Sequence, residues 1–181
     1  MKKVYGLLAN GSEEVESLAV VDLLKRAGIE VELVSIHDEK EVVTAHDIHI
    51  KCDSIISDVD FSDADLIFIP GGLPGTNYMK ESEAVKEALL MQDKEDKRIA
   101  AICAGPSVLG EFGLLKDKKA TVYPGFEEAI DNFVKDGVIT DGNITTARGL
   151  GFSFDLGLEL IELLISKEKR EEIKEQIQYE K

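Results

Sequence analysis

The sequence predicts a single α/β sandwich around a mostly parallel sheet, and three observations lead there. Strand-like apolar runs alternate with amphipathic helical runs from one end of the chain to the other. Two of the strand-like runs, residues 65–69 and 99–102, are almost wholly apolar, as strands covered on both faces are. Both runs stop at glycine-containing turns, and open α/β sheets build their sites there, outside the carboxyl ends of the strands.

Residues 2–9 form a first strand and Asn10-Gly11 a turn. Ser12 is placed to cap a helix whose first turn carries Glu13 and Glu14 at the positive end of the dipole, and which stops at Gly28 after Ala27. Residues 30–36 alternate as a second strand, and residues 42–50 give one or two short strands. Strand 65–69 ends at Pro70-Gly71-Gly72, and Ser82 caps a helix reaching about Asp93. Strand 99–102 runs straight into Cys103-Ala104-Gly105-Pro106 and a further helix. Short strands follow near residues 120–122, 138–139 and 144–147, then a long helix over about 151–165. Residues 167–181 read as a charged helical tail, so the chain divides into a domain over 1–166 and a tail over 167–181.

Composition narrows the function. With 181 residues, 44% of them hydrophobic and 31% charged, the chain can bury a core without disulfide or metal staples. A net charge of −15 repels phosphates and anionic lipid, which argues against nucleic-acid and membrane-surface binding. No apolar run approaches a membrane span, and the first residues read as a strand and not as an export signal, so the cytoplasm is the expected compartment. Two cysteines in a reducing compartment are expected as free thiols, and they cannot build a zinc site by themselves. No metal or organic cofactor is expected. The turn Asn10-Gly11-Ser12 is too short to cradle a cofactor phosphate, and the glutamates after it would repel one.

The segment Ile99-Ala-Ala-Ile-Cys103-Ala-Gly-Pro-Ser107 carries the strongest chemical signal. A buried strand turning at once into a helix, with a cysteine at the corner and small residues around it, is the arrangement of a nucleophile elbow. A helix N-terminus beside sulfur favours thiolate, and backbone N–H groups at such a corner can receive an oxyanion. Gly71-Gly72 stands where it can supply a second such N–H.

Glu16 is the second signal. It shares a helical stripe with Val20, Leu23, Leu24 and Ala27. A carboxyl on a sheet-facing stripe must be paired or protonated, so Glu16 either donates a hydrogen bond to sulfur or serves as general acid/base. The same helix has another apolar side, Val15, Leu18 and Ala19, with Asp22 and Arg26 along it. That side faces a second subunit or another segment of the chain. The three histidines, His37, His46 and His49, all precede the cysteine, which argues against a Cys-His-Asp triad of hydrolase or amidotransferase type.

Several segments together resemble the ThiJ/PfpI superfamily, in particular its DJ-one, parkinsonism-associated deglycase branch. They are Gly-Ser-Glu-Glu-Val-Glu16-Ser, Asp22-Leu-Leu-Lys-Arg-Ala-Gly28, Ile69-Pro-Gly-Gly72, Ala84-Val-Lys-Glu87, Ala100-Ala-Ile-Cys103-Ala-Gly-Pro106, Thr146-Ala-Arg-Gly149 and Ser153-Phe154. The resemblance implies a flavodoxin-like three-layer sandwich and a homodimer joined through Val15, Leu18, Ala19, Asp22 and Arg26. It implies that Cys103 is a low-pKa, oxidation-prone nucleophile hydrogen-bonded to Glu16, with Gly72 and Ala104 as backbone oxyanion donors. Gly71, Asn10 and Tyr123 are expected to line the site. The protease branch carries histidine after its cysteine; Ala104 in that place speaks against proteolysis. Several branch members carry histidine before a proline where this chain has Tyr123-Pro124. Tyrosine is a poor base near neutrality, so most proton transfer would fall to Glu16.

The expected function is therefore cofactor-independent chemistry on small reactive aldehydes or glycated groups, of glyoxalase or deglycase type. The alternative is a redox sensor or chaperone working through oxidation of Cys103 to a sulfinate.

Overall fold

The computed structural model describes residues 1–180. In chain order the elements are β1 (Lys3–Leu8), α1 (Glu14–Arg26), β2 (Glu30–Ser35), β3 (Glu41–Val43), β4 (His49–Lys51), β5 (Ser54–Ile55), β6 (Leu66–Ile69), α2 (Gly75–Glu81), α3 (Glu83–Lys94), β7 (Arg98–Ile102), α4 (Pro106–Glu111), β8 (Lys119–Ala120), β9 (Asn132–Phe133), β10 (Val138–Asp141), β11 (Ile144–Ala147), α5 (Ser153–Leu164) and α6 (Lys167–Gln176). Seven strands form the central sheet in the order β10-β11-β7-β6-β1-β2-β5. Neighbours run parallel except β10, which is antiparallel to β11. This is the α/β, flavodoxin-like three-layer sandwich that the sequence predicts.

The apolar strands explain the layers. In β6, Leu66 and Phe68 point into one core and Ile67 and Ile69 into the other. In β7, Ala100 and Ile102 alternate with Ile99 and Ala101 in the same way. Side chains two residues apart share a face, so a wholly apolar strand is a strand with helices on both sides. The stripe Val20, Leu23 and Leu24 of α1 joins Leu156, Leu160 and Ile161 of α5 on one face. Met79 of α2, Val85 and Leu89 of α3, and Val108 and Leu109 of α4 fill the other. From β1 the chain steps to β2 on one side and to β6 on the other, so the strand order reverses beside β1. Doubly wound sheets open a crevice at such a point.

Two local expectations change. Ser12 does not cap α1: its Oγ accepts the Ala9 N–H at 3.0 Å inside the turn, and the cap is Glu13, whose Oε2 accepts the Glu16 N–H at 2.6 Å. Residues 75–81, for which the sequence suggests no element, form α2, whose Met79 is fully buried and whose first turn is tied back by Thr76 N–H on the Gly72 carbonyl at 3.0 Å. In the tail, α6 packs on α5, with Ile173 buried and the Tyr179 hydroxyl donating to Asp155 at 2.9 Å.

Candidate active site

Cys103 stands at the end of β7 with a backbone φ of +62°. L-residues avoid that region, so the corner is held by its bonds. The Cys103 N–H donates to the Ala147 carbonyl on β11, and its own carbonyl accepts the Tyr123 N–H, both at 2.9 Å. Gly105 then comes so close that a Cβ there would lie 2.8 Å from the Ile102 carbonyl oxygen and 3.0 Å from those of Ile69 and Pro70. Helix α4 begins only at Pro106, so the group beside the sulfur is the Ala104 N–H, bonded to it, and not the end of a long helix.

Glu16 approaches from α1. Its residue surface is 1% exposed. Three groups fix it: Glu13 holds its backbone N–H, the Gly71 N–H donates to its Oε2 at 2.9 Å, and the carboxyl is hydrogen-bonded to the Cys103 thiol. Gly71 is the hinge of this cluster. A Cβ there would stand 2.6 Å from both Cys103 Cβ and Glu16 Oε2, so only glycine fits between acid and nucleophile. Gly72 follows with φ +95°, a conformation that glycine adopts without strain. Among the described residues, neither the Gly72 N–H nor the Ala104 N–H donates to a backbone carbonyl. The ends of β1, β6 and β7 thus bring Glu16, Gly71 and Cys103 into one contact.

Burial pushes the Glu16 carboxyl up to about 7, against the lowering effect of its bonds to Cys103 and Gly71. Burial also pushes the Cys103 thiol up, and an ionised Glu16 pushes it further, against the lowering effect of the Ala104 N–H. These surroundings do not by themselves give the acidic thiol that the resemblance implies. Two neighbouring groups that repel each other's charge hold one proton between them. With that proton on Glu16, its charge no longer opposes the thiolate and its O–H faces sulfur. The arrangement therefore supplies a nucleophile and an acid together, at the expense of a carboxylate.

The remaining predicted residues lie at different distances from this pair. Tyr123 is joined to Cys103 through the backbone, and the residue is 49% exposed. It lines an open, mostly apolar cleft of about 310 Å³ with Pro124, Arg148, Leu150 and Phe152. Asn10 is committed elsewhere: its Oδ1 accepts the Val43 N–H and its own N–H donates to His37 Nε2, both at 2.9 Å. On α1, Val15 and Leu18 are 45% and 41% exposed, and Arg26 is paired with Asp22 at 2.6 Å. Among the described residues nothing covers Val15 and Leu18, and Ala19 between them and the core is half-buried. Sequence reasoning missed two supports. Glu13, which the sequence places at the helix dipole, is the cap that orients Glu16, and Gly71, expected only to line the site, is the donor that anchors its carboxyl. The three-residue spacing Glu13 to Glu16 at a helix start was the available signal.

A family model described as "DJ-1/PfpI family" matches residues 2–163. "Protein DJ-1 homolog B" of Arabidopsis thaliana is 38% identical over 95% of this chain, which spans only 40% of that longer protein. The "Glutathione-independent glyoxalase DJR-1.2" of Caenorhabditis elegans is 32% identical, over 87% of this chain and 86% of the relative. Among solved structures, "Toxoplasma gondii DJ-1, oxidized" matches with a TM-score of 0.97 and 36% identity, over 100% of both chains.

Proposed function

The chain belongs to the DJ-1/PfpI family, and we propose that it acts on small reactive carbonyls through Cys103 and Glu16, without a cofactor. The observation that carries this reading is the buried Glu16 carboxyl against the Cys103 thiol, at a strained strand end with the Ala104 N–H at the sulfur and the Gly72 N–H given to no backbone carbonyl. The glyoxalase name of the worm relative points the same way.

The thiol proton passes to the Glu16 carboxylate. The sulfur then attacks the aldehyde carbon of a 2-oxoaldehyde, and the C=O pair moves onto oxygen, where the Gly72 and Ala104 N–H groups receive it. Glu16 returns the proton to that oxygen and leaves a hemithioacetal. As a carboxylate it takes the hydrogen on the former aldehyde carbon and delivers it to the neighbouring carbon, while the hydroxyl proton crosses to the neighbouring carbonyl oxygen, so that one carbon is oxidised as the other is reduced. The resulting thioester accepts water, its C–S bond breaks, and a 2-hydroxy acid leaves with the thiol restored. The sum is one 2-oxoaldehyde plus one water, with no external oxidant. A hemiaminal or hemithioacetal of the same aldehyde on a protein side chain would deliver the same carbonyl to the sulfur. In this scheme Tyr123 and the apolar cleft beside it hold the substrate's carbon end.

Formation of lactate from methylglyoxal by the metal-free protein tests the reading. Turnover that vanishes in Cys103→Ser supports it, and turnover unchanged in that variant removes it.

A redox role rests on one specific observation. A carboxyl raised to about 7 is available as a donor to an oxidised sulfur. Two peroxides would take the thiolate through sulfenate to sulfinate, each releasing one water, with Glu16 donating to a sulfinate oxygen. A gain of two oxygens at Cys103 after mild peroxide, in a protein that turns over no carbonyl, would favour this role. We also propose that α1 pairs with the same helix of a second copy across Val15, Leu18 and Ala19, with the Asp22–Arg26 pair at the rim. A reducing compartment such as the cytoplasm suits a free thiol of this kind.

A further inference from the structure

Beside the Cys103–Glu16 pair lies a second cluster, whose Glu14 and His46 the carbonyl chemistry does not use. Glu13 and Glu14 open α1, and His46 sits in the turn between β3 and β4. One donor atom from each lies within 4.8 Å of the other two. His46 Nδ1 stands 2.7 Å from Glu14 Oε1. The Glu14 side chain is only 9% exposed; its carboxyl faces its own N–H, the Thr44 hydroxyl and His46, and its second oxygen, Oε2, is buried outside normal hydrogen-bond geometry with any of them. A buried carboxylate oxygen left without a partner is destabilising, and native structures rarely keep one without a use.

The turn that carries His46 is fixed to the start of α1. The Gly11 N–H donates to the Val43 carbonyl at 2.8 Å, the Ala45 N–H to the Ser12 carbonyl at 2.9 Å, and the Val43 N–H to Asn10 Oδ1 at 2.9 Å. The backbones of all three donors are thus set before any ligand arrives. Glu13 uses Oε2 to hold the Glu16 N–H, which leaves Oε1 for another partner. The imidazole is the movable arm, with 70% of its side chain exposed. Bonds of about 2.1 Å place tetrahedral donors about 3.4 Å apart, a spacing between the 2.7 Å of the His46–Glu14 contact and the 4.8 Å within which all three donors lie, so small side-chain rotations suffice.

We propose that Glu13, Glu14 and His46 form a binding site for a divalent first-row transition ion, separate from Cys103. Two carboxylate oxygens and one imidazole nitrogen are the donor set of zinc, cobalt, manganese or ferrous iron. Calcium takes oxygen ligands only, and cuprous copper selects sulfur. The positive end of α1 opposes a cation, but that partial charge is small beside two full carboxylates.

Cobalt(II) is the direct probe, since sulfur ligands add intense near-ultraviolet charge-transfer bands that oxygen and nitrogen ligands do not. The full-length reduced protein, stripped with chelator, is titrated with cobalt(II) as the wild type and as Cys103→Ser, His46→Ala and Glu14→Gln. The expected result is one ion per chain, with weak visible bands and no sulfur band, unchanged in Cys103→Ser. His46→Ala should weaken binding by at least about tenfold, the loss that disturbing even an outer partner of a ligand produces. His46 is exposed, so that variant keeps its fold, and Glu14→Gln should weaken binding in the same direction. Absence of saturable binding, affinity unchanged in His46→Ala, or a sulfur band that disappears with Cys103→Ser would each overturn the site. The readout is independent of carbonyl turnover.

Discussion

Cys52 and Cys103 occupy two regions built from similar materials. Cys52 follows β4, is 2% exposed, and packs with Leu8, Val42 and Ile50 in a small apolar cluster. Its N–H donates to the Lys40 carbonyl at 2.8 Å, and burial, then the charge of Asp53, pushes its thiol up to about 12. Cys103 is also pushed up, first by burial and then by Glu16. The regions differ in what stands beside the sulfur. At Cys52 it is hydrocarbon. At Cys103 it is a buried carboxyl that can take the proton, an amide that can face the sulfur, and a backbone held at positive φ. Burial alone makes an inert thiol; burial with a proton acceptor makes a reactive pair.

The largest expected effect breaks the comparison at the sulfur. Cys103→Ser should lower carbonyl turnover at least ~10³-fold, the scale on which removal of a nucleophile is measured. Cys52→Ser should leave it within about twofold, because only the elbow has a base. Steady-state formation of the hydroxy acid measures both.

The next effect concerns Glu16. Its carboxyl is raised from 4.5 to about 7, so the folded protein binds an extra proton across that window and loses stability as pH climbs through it. The total is about 3 kcal/mol, most of it lost between about pH 5 and 7. Glu16→Gln keeps an acceptor for the Gly71 N–H but carries no charge. It should therefore be more stable than the wild type at pH 8 by a margin that narrows toward pH 5, in paired denaturant titrations. The same variant should lose about 10²- to 10⁴-fold in turnover. A functional carboxyl is held here against the stability of the fold.

A smaller effect sharpens the geometry. Gly71→Ala places a Cβ 2.6 Å from both Glu16 Oε2 and Cys103 Cβ. It should cost about 1–3 kcal/mol and separate the pair, whereas Gly113→Ala, with open space at its Cβ position, is destabilised only by its φ of +75°. Thermal melts of the two variants, with turnover measured beside them, check this.

Much of this was legible in the sequence, because periodicity encodes burial. The alternation of cores along β6 and β7 follows from wholly apolar strands, and Glu16 stands out as the acid on the stripe of Val20, Leu23 and Leu24. The corner at Cys103 follows from small residues after a buried strand. What escaped was set by contacts distant in sequence. Helix α2 carries Gly75, Thr76 and Asn77, poor helix formers, and is held by burial of Met79 and by the Gly72 carbonyl. Ser12 looks like a cap, yet the tight turn after β1 claims its hydroxyl. The donor beside the sulfur is at the helix start that the sequence places after Cys103: Pro106 opens α4, and the Ala104 N–H just ahead of it meets the sulfur. Nothing local shows that Glu14, before α1's apolar stripe, meets a histidine from a separate hairpin.

The most direct test of the shared proton is the pH dependence of Cys103 alkylation, followed by mass spectrometry in wild type and Glu16→Gln. The wild type should show a rise in rate with its midpoint near pH 7, where the pair gives up its first proton. That step should be absent in Glu16→Gln, which should react only as pH climbs toward the raised range of an isolated buried thiol. The same profile in both proteins, with no step near neutrality, would contradict the account.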